Sequence, residues 1–346
     1  MNHKKMTVLI AVMSAMVLSS CSKQSAETIP KDSGSMQTKL NLDTTSITVS
    51  GISSGGYMAN QYHTAFSKQV NGAVLLASGP FGCAQGDLKI ALSQCMNVSE
   101  ELDIEPLYKN MLSAVEHKTI DSVSHLEDDN VWIFHGQSDR TVSRKVVDAQ
   151  LALYQKLNAN IKYQVDSKTG HGFPTLDYGV ECAETKSPFI NHCSLDATSQ
   201  FLSFLYPKAE NKNTASQESN GEIIEFEQAQ FLAKGENNTL ADKGYLFIPS
   251  SCLSGERCQL HVAFHGCQQN VETIGKVFIQ ETGINRWASE NHLVVLYPQT
   301  KSTYMPLNPK ACWDWWGYTG ADYLTQSGAQ LKHVNSMVRD LSKILN

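Results

Sequence analysis

Short apolar runs alternate with longer helix-like segments from residue 45 onward. Strand-like runs cover residues 47–50, 72–77, 131–134 and 161–165, and helix-like segments cover 57–66, 142–157 and 197–205. A chain that alternates in this way is typical of a mostly parallel sheet with helices on both faces. The alternation therefore predicts the α/β fold class. The composition agrees, because 41% hydrophobic and 18% charged residues are ordinary for a globular protein.

A polar stretch at residues 207–222 interrupts this pattern. It contains Lys, Glu, Asn, Ser and Thr but almost no apolar residues, so it cannot bury a core and is typical of a linker. Strand-like runs resume at 223–231, 244–249, 259–264 and 292–297, and an amphipathic helix is predicted at 325–345. We therefore expect residues 45–346 to form one catalytic domain whose two halves are joined by this linker.

Residues 1–20 have the features of a secretion signal. Two lysines precede a 13-residue apolar core at 6–18, which is too short to span ~30 Å of hydrocarbon. The core ends in Leu-Ser-Ser-Cys21, which resembles the lipobox of bacterial lipoproteins, where the cysteine is lipidated and becomes the mature N-terminus. We predict lipidation at Cys21 and a polar tether at 21–44. An ordinary cleaved signal with a chance cysteine is the alternative.

Charge and targeting limit the partners that we expect. The net charge of −6 and the absence of a long basic run argue against a nucleic-acid partner. Contact with a membrane is expected only through the N-terminal lipid, and Ser22 favours the outer membrane by resemblance to Gram-negative lipoproteins. The sequence thus predicts an exported, lipid-anchored monomer, either on the cell surface or facing the periplasm, with release from the cell as a further alternative.

The cysteines are consistent with export. Eight of the nine remain after Cys21, none of them in a Cys-x-x-Cys motif, so neither a zinc ribbon nor a thioredoxin-type site is indicated and no metal is expected. In an oxidising compartment the eight would pair as disulfides. Spacing suggests Cys83–Cys95, Cys182–Cys193 and Cys252–Cys258, which leaves Cys267 and Cys312 as partners. Eight cysteines allow 105 pairings, so other connectivities stay open.

Ser53 lies in the segment Gly51-Ile-Ser-Ser-Gly55, which matches the nucleophile elbow Gly-x-Ser-x-Gly. In that motif the serine occupies a tight turn between a strand and a helix, and the glycines let neighbouring backbone approach closely. The five-residue pattern is weak alone, but its position after a β-branched strand and before a helix strengthens it. Ser54 is the competing nucleophile, but it lacks a glycine two residues earlier. We predict Ser53 as the nucleophile.

An activated serine needs a base, and the base needs an orienting carboxylate. In hydrolases with this elbow, both follow the serine in chain order on loops after later strands. Asp139 follows the predicted strand at 131–134, and His171 follows the strand at 161–165. The alternatives are a helix-capping role for Asp139 and a structural role for His171. The order favours a catalytic triad of Ser53, Asp139 and His171.

The segment Phe264-His-Gly-Cys267 has the features of an oxyanion loop. In the usual order, a strand ending in His-Gly precedes the nucleophile, and a backbone N–H just after it stabilises the oxyanion. Here the segment follows His171 instead. The simplest explanation is a circular permutation, in which the polar linker joins former chain termini. We predict the backbone N–H groups of Ser54 and Cys267 as oxyanion donors.

Five segments together resemble poly(3-hydroxybutyrate) depolymerases, and more narrowly their single-domain, circularly permuted type. They are Gly51-Ile-Ser-Ser-Gly-Gly-Tyr-Met-Ala59, Gly170-His-Gly-Phe-Pro174, Phe264-His-Gly-Cys-Gln-Gln269, Gly283-Ile-Asn-Arg-Trp-Ala288 and Cys312-Trp-Asp-Trp-Trp-Gly-Tyr318. The resemblance covers roughly residues 45–345. It implies an α/β-hydrolase fold and a secreted serine esterase, without a cofactor, that cleaves short-chain poly(3-hydroxyalkanoate) and its oligomers.

Aromatic residues beside Cys312 are candidates for substrate contacts. Trp313, Trp315 and Trp316, together with Tyr57 near the elbow, could line a cleft for an aliphatic polyester. The alternative for each is packing in the core or at the rim.

Two features leave other functions open. No residues remain for the separate polymer-binding domain of many extracellular depolymerases, and a lipid anchor is unexpected for a freely diffusing enzyme. Both facts allow an esterase that acts on soluble oligomers. The alternatives are a feruloyl or acetylxylan type of carbohydrate esterase and a catalytically inactive lipoprotein that uses its cleft for binding.

Overall fold

The computed structural model describes residues 40–98, 100–166, 168–209 and 219–344. The predicted signal peptide, Cys21 and the tether up to residue 39 lie outside the described residues, as does the middle of the predicted linker at 210–218. Within the described ranges, no helix is both long and apolar enough to cross a bilayer.

An eight-stranded, mostly parallel sheet forms the centre of the fold. The strands of the chain are β1 (Leu42–Ile52), β2 (Val70–Leu76), β3 (Asn130–Gly136), β4 (Asn160–Asp166), β5 (Phe173–Thr175), β6 (Val180–Glu181), β7 (Ile190–His192), β8 (Gly221–Glu227), β9 (Lys243–Pro249), β10 (Cys258–Phe264) and β11 (Leu293–Tyr297). The large sheet has the order β4-β3-β2-β1-β10-β11-β9-β8. Seven of its strands run in the same direction, and β9 runs in the opposite direction. Strands β5 to β7 form a small separate sheet.

Helices cover both faces of the large sheet, which confirms the α/β prediction. They are α1 (Ser54–Ala65), α2 (Leu88–Gln94), α3 (Glu105–Glu116), α4 (Arg144–Lys156), α5 (Ala197–Leu205), α6 (Ser250–Leu253), α7 (Val271–Ile274), α8 (Val277–Glu281), α9 (Ile284–Glu290) and α10 (Ala329–Arg339). Side chains of α1, α4 and α10 belong to one core, and those of α5, α8 and α9 to the other. Neighbouring residues of β3 alternate between the two cores, because successive side chains of a strand point to opposite faces.

The end of the chain and the strand after the linker differ from the sequence prediction. The expected helix at 325–345 is shorter, Ala329–Arg339, and is followed by a 3-10 turn. The expected strand at 223–231 ends at Glu227, and a 3-10 turn begins at Gln228. The strand ends there because of tertiary contacts: the Gln228 side chain is buried and donates to the carbonyls of Ala241 and Gln299.

The parallel pair β1 and β10 joins the two halves of the chain at the centre of the sheet. Thr48 lies opposite His261 in this pair. The His261 ring, fully buried, is 2.6 Å from Thr48 Oγ1 through Nδ1 and 2.7 Å from Ser50 Oγ through Nε2. Burial lowers the pKa of His261 to about 3. A neutral imidazole therefore links the two strands by side chains as well as by their backbone ladder.

Four disulfide bonds are present, in the pairing that spacing suggests. They join Cys83 to Cys95, Cys182 to Cys193, Cys252 to Cys258, and Cys267 to Cys312. Each of the first three closes a short loop within a single half of the chain, two before the linker and one after it. The fourth spans 45 residues and ties the segment after β10 to the segment that carries the tryptophans.

Candidate active site

Ser53 occupies a strained turn between β1 and α1. Its φ of 56° and ψ of −123° are unusual for a residue with a Cβ. The turn is so tight that a Cβ on Gly51 would lie 2.0 Å from the carbonyl oxygen of Gly55. A Cβ on Gly55 would in turn lie 2.3 Å from the carbonyl oxygen of Phe264 on β10. The two glycines of the motif are thus required by close backbone packing.

The side chains of Ser53, His171 and Asp139 form one hydrogen-bonded series. His171 Nε2 is 3.0 Å from Ser53 Oγ, and His171 Nδ1 is 2.8 Å from Asp139 Oδ2. Asp139 and His171 are buried, and Ser53 is partly exposed. The structure therefore brings together the three residues that chain order nominated, each from a loop after a strand of the large sheet. An imidazole in this position can take a proton from the serine hydroxyl.

Asp139 has two separate tasks. Its Oδ2 contacts His171, while its Oδ1 accepts hydrogen bonds from the backbone N–H groups of Thr141 (2.7 Å) and Val142 (3.0 Å). Burial opposes ionisation of this carboxyl, but His171 and the backbone donors outweigh it and hold its pKa below the usual value. Asp139 is consequently a carboxylate that both fixes its own turn and orients the imidazole.

The turn at 266–269 leaves one backbone N–H free for a ligand. Gly266 N–H donates to Gln269 Oε1, Gln268 N–H to the carbonyl of Lys310, and Gln269 N–H to the carbonyl of Gly266. For Cys267 N–H, no acceptor exists among the described residues. This turn lies against the nucleophile, since a Cβ on Gly266 would be 3.4 Å from Ser53 Cβ. Cys267 is partly exposed and lines the cleft, so this N–H is available to donate to an oxygen of a ligand.

The second predicted oxyanion donor is the N–H of Ser54. Ser54 is the first residue of α1, and the first N–H groups of a helix have no intrahelical acceptor. The Ser54 side chain is buried and accepts from the backbone N–H of Trp313 at 3.4 Å. The hydroxyl of Ser54 is thus directed into the protein, which favours Ser53 as the nucleophile.

A cleft of about 460 Å³ opens above Ser53 and His171. Tyr57, Trp315 and Trp316 line it, as predicted substrate contacts should. The rings of Tyr57 and Trp315 are stacked, with centroids 4.4 Å apart and planes 14° apart. Trp316 meets Trp315 edge to face at 5.6 Å. These three side chains form one aromatic wall of the cleft.

Trp313 differs from the other tryptophans. Its side chain is completely buried, packs edge to face on Phe264, and does not line the cleft. The loop conformation explains this separation. Both carboxylate oxygens of Asp314 accept hydrogen bonds from later groups of the loop, including the N–H groups of Gly317 and Tyr318. The resulting turn directs Trp313 into the core, and Trp315 and Trp316 toward the cleft.

Several cleft residues were not identified from sequence. Leu88, Leu92 and Met96 contribute from α2 and its end, and Phe189 and Leu307 from two loops. Leu88 and Leu92 are one helical turn apart between Cys83 and Cys95, and this spacing was the available signal. The two loop residues carry no comparable signal. In the described part of the chain, His, Cys, Asp and Glu form no group arranged to hold a metal ion.

Asp139 should make the stability of the fold pH-dependent. Because its pKa is lowered in the folded state, ionised Asp139 stabilises the fold above its unfolded pKa, and this contribution is lost as pH falls through the folded pKa. We expect the difference in unfolding free energy between wild type and Asp139→Asn to shrink as pH is lowered from about 5 to about 2. Urea denaturation of both proteins at each pH measures this difference in unfolding free energy. Ser53→Ala, which removes no carboxylate, is the control, and a pH-independent difference for Asp139→Asn would contradict the prediction.

Comparison with known proteins agrees with this architecture. A model of the family "Esterase PHB depolymerase" matches residues 243–342, and a model of the prolyl oligopeptidase family matches residues 35–196. A solved PHB depolymerase from Penicillium funiculosum superimposes with a TM-score of 0.80 and 31% identity, covering 89% of this chain and 98% of that chain. A PHB depolymerase that carries a serine-to-alanine substitution and is complexed with R3HB trimer gives the same TM-score, identity and coverage. The α/β-hydrolase fold is thereby confirmed.

Two relatives define the family. A poly(3-hydroxybutyrate) depolymerase of Delftia acidovorans is 36% identical over 308 residues, which is 88% of this chain but 61% of the relative, so the chain spans about three fifths of that protein. A polyhydroxybutyrate depolymerase of Talaromyces funiculosus is 34% identical over 319 residues, which is 87% of this chain and 91% of the relative. On this similarity, the chain belongs to the PHB depolymerase family of esterases.

Proposed function

We propose that this protein is a serine esterase that hydrolyses poly(3-hydroxybutyrate) and its oligomers. Two adjacent features carry the proposal. A hydrogen-bonded series runs from Asp139 through His171 to Ser53, and an apolar, aromatic-lined cleft lies directly above Ser53 and His171. The names of the relatives from Delftia and Talaromyces, and the R3HB trimer bound by a structural neighbour, point to the same substrate class.

The reaction would proceed through an acyl-enzyme. His171 accepts the proton of Ser53 Oγ as the oxygen attacks the ester carbonyl, and Asp139 holds the imidazole in the required tautomer. The N–H groups of Ser54 and Cys267 stabilise the oxyanion of the tetrahedral intermediate. His171 then donates its proton to the departing alcohol. Water, activated by His171, releases the acid and restores Ser53, so that no metal or organic cofactor is needed.

The character of the cleft supports an uncharged, weakly polar substrate. Among the described residues that line the cleft, Lys310 is the one Lys, Arg, Asp or Glu, and it is exposed. Poly(3-hydroxybutyrate) carries a methyl group on each unit and no charge within the chain, so aromatic and aliphatic walls can bind it by apolar contact. We propose Tyr57, Trp315 and Trp316 as substrate-binding residues and leave out the buried Trp313.

An exposed apolar rim surrounds the mouth of this cleft. The large apolar side chains exposed in the described structure are Leu88, Leu92, Tyr304, Met305 and Leu307. Three of them line the cleft, and the remaining two, 81% and 92% exposed, lie on the same loop as Leu307. Exposed apolar side chains grouped at and beside a cleft are typical of a contact site. We therefore propose that the enzyme acts at a water-insoluble polymer surface as well as on soluble oligomers.

We also infer that the chain is a circularly permuted α/β-hydrolase. Support comes from the sheet, whose strands from the β8 edge run β8, β9, β11, β10 and then β1 to β4. If the chain began at β8, the strand that leads into His265-Gly266 would precede the nucleophile strand, and the acid and the histidine would follow. That is the usual order in hydrolases of this type. The linker near residues 207–222 would then join the former termini.

Hydrolysis should depend on Ser53. We expect Ser53→Ala to lower kcat for 3-hydroxybutyrate oligomers by at least about 10⁴-fold, because the attacking oxygen is lost. Ser54→Ala, which keeps its backbone N–H, should lose less than about tenfold. Oligomer hydrolysis by purified variants measures both.

Wild-type activity on feruloylated or acetylated xylan, with none on the oligomers, would favour a carbohydrate esterase. Failure to cleave any short-chain p-nitrophenyl ester would favour an inactive binding protein.

The exposed rim should matter for polymer and not for soluble ester. Replacing both Tyr304 and Met305 by Ser removes apolar surface worth roughly 1–3 kcal/mol per side chain, so adsorption to amorphous granules should fall at least about tenfold. Hydrolysis of a soluble p-nitrophenyl ester should stay within about twofold. Lys109→Ser, at an exposed position of α3 outside the cleft, is the surface control. Unchanged granule binding by the double variant would contradict a role for the rim.

We propose that the enzyme is exported and anchored by lipid at Cys21. The apolar core before Leu-Ser-Ser-Cys21 supports this, and so do four disulfide bonds, which persist in oxidising compartments. Expressed in a Gram-negative host, the wild type should incorporate labelled fatty acid and sediment with outer membranes, and Cys21→Ser should do neither. Equal labelling of both proteins would contradict the anchor.

A further inference from the structure

The imidazole of His265 contacts the peptide group that carries the Cys267 N–H. Nδ1 of His265 is 2.7 Å from the carbonyl oxygen of Gly266, and the backbone N–H of Thr300 is directed at Nε2 with an N···N distance of 3.2 Å. Because Thr300 N–H can only donate, Nε2 must accept, and the ring proton must be on Nδ1. The Thr300 hydroxyl donates to the carbonyl of Ala311 and so does not alter this assignment.

The protonation state of His265 agrees with that tautomer. The side chain is fully buried, and this burial lowers its pKa to about 4, so the ring is neutral at neutral pH. A neutral ring has one donor and one acceptor, and both are used here. His265 therefore donates a hydrogen bond from Nδ1 to the Gly266 carbonyl.

This bond fixes the direction of the neighbouring N–H. In a trans peptide the C=O and N–H point in opposite directions across one plane. Holding the Gly266 carbonyl toward His265 consequently directs the Cys267 N–H away from it. The turn contacts Ser53 and lines the cleft, and in its described surroundings the Cys267 N–H is the donor of the turn that has no acceptor.

Gln269 holds this carbonyl through its backbone N–H, and its side chain holds the preceding peptide group, between His265 and Gly266. Its Oε1 accepts from Gly266 N–H at 2.7 Å, and its Nε2 donates to the carbonyls of Pro188 (3.1 Å) and Phe189 (3.0 Å). The Phe189 carbonyl also accepts from the N–H of Phe173, two residues after His171. One buried amide thus connects the oxyanion turn to the segment that carries the base.

We propose that His265 and Gln269 are positioning residues that set the direction of the Cys267 N–H and thereby preorganise the oxyanion hole. The inference rests on the proposed serine-esterase function, and it adds two buried residues, of which His265 does not line the cleft. A donor that is already aligned needs no reorganisation as negative charge develops on the carbonyl oxygen. Loss of either contact should weaken binding of the tetrahedral intermediate more than binding of the ester.

Substitution of His265 tests this directly. For His265→Leu we expect kcat on a soluble p-nitrophenyl ester to fall by about 10²-fold with KM within about threefold, as for loss of one oxyanion donor. Inhibition by a short-chain trifluoromethyl ketone, whose adduct with Ser53 bears an oxyanion, should weaken by a similar factor. His265→Asn keeps an N–H near the position of Nδ1 and should recover part of both losses.

His261 provides the matched control, on the strand that ends just before His265. It is equally buried and makes two side-chain hydrogen bonds, but to Thr48 and Ser50 and not to the oxyanion turn. His261→Leu should lower the midpoint of urea unfolding while kcat per folded molecule stays within about threefold. Where His265→Leu fails to fold, Gln269→Met, which removes all three hydrogen bonds of the amide, should give the same selective loss of kcat and ketone affinity.

The outcomes separate this proposal from the function on which it rests. If His265→Leu and Gln269→Met lower stability but leave kcat per folded molecule and ketone affinity unchanged, the two residues are structural only and the inference is overturned. If Ser53→Ala still hydrolyses the ester, the proposed function itself is wrong. Ketone affinity that falls in parallel with kcat, for these variants and not for His261→Leu, supports the positioning role.

Discussion

The site depends on the parallel pairing of β1 with β10. Parallel neighbours end at the same edge of a sheet, so Ser53, the proposed nucleophile after β1, and the Cys267 N–H after β10 emerge side by side. The acid and the histidine reach the same edge because they follow β3 and β4. Close packing of Gly55 against the end of β10 locks this arrangement, since any side chain there would overlap the carbonyl oxygen of Phe264. A shift of one residue between the two strands would separate Ser53 from the Cys267 N–H, which we propose as nucleophile and oxyanion donor.

Strain at the nucleophile and packing around it are linked. A residue held at the φ and ψ of Ser53 costs on the order of 1–3 kcal/mol, and the turn persists only where its surroundings fix it. Here Ser53 N–H donates to the carbonyl of Leu76 on β2, and Ser53 O accepts from Tyr57 N–H within α1. The strand, the helix and the two glycines together hold the hydroxyl at the base of the cleft, where His171 can reach it.

Sequence was sufficient for the parts of the fold and site that follow from periodicity and chain order. The strand-like runs of the large sheet, the α/β class and the proximity of Ser53, Asp139 and His171 could all be predicted, because parallel strands bring their following loops to one edge. Helix α2 could not, because its residues are mostly exposed and carry weak periodicity. The separate position of Trp313 could not be predicted either, since it depends on how Asp314 folds its loop.

The oxyanion turn is held by several contacts that arise from distant parts of the chain. A disulfide joins Cys267 to Cys312, the carbonyl of Lys310 accepts from Gln268 N–H, and Gln269 binds the loop next to the base. A loop on the surface of a protein is ordinarily more mobile than the elements that it connects. An oxyanion donor must nevertheless be fixed before charge develops, because energy used to align it during the reaction would be added to the barrier. The covalent bond limits how far this turn can move. On our proposal, the hydrogen bonds to His265 and Gln269 set the direction of its N–H, and that direction is the property that bears on transition-state stabilisation.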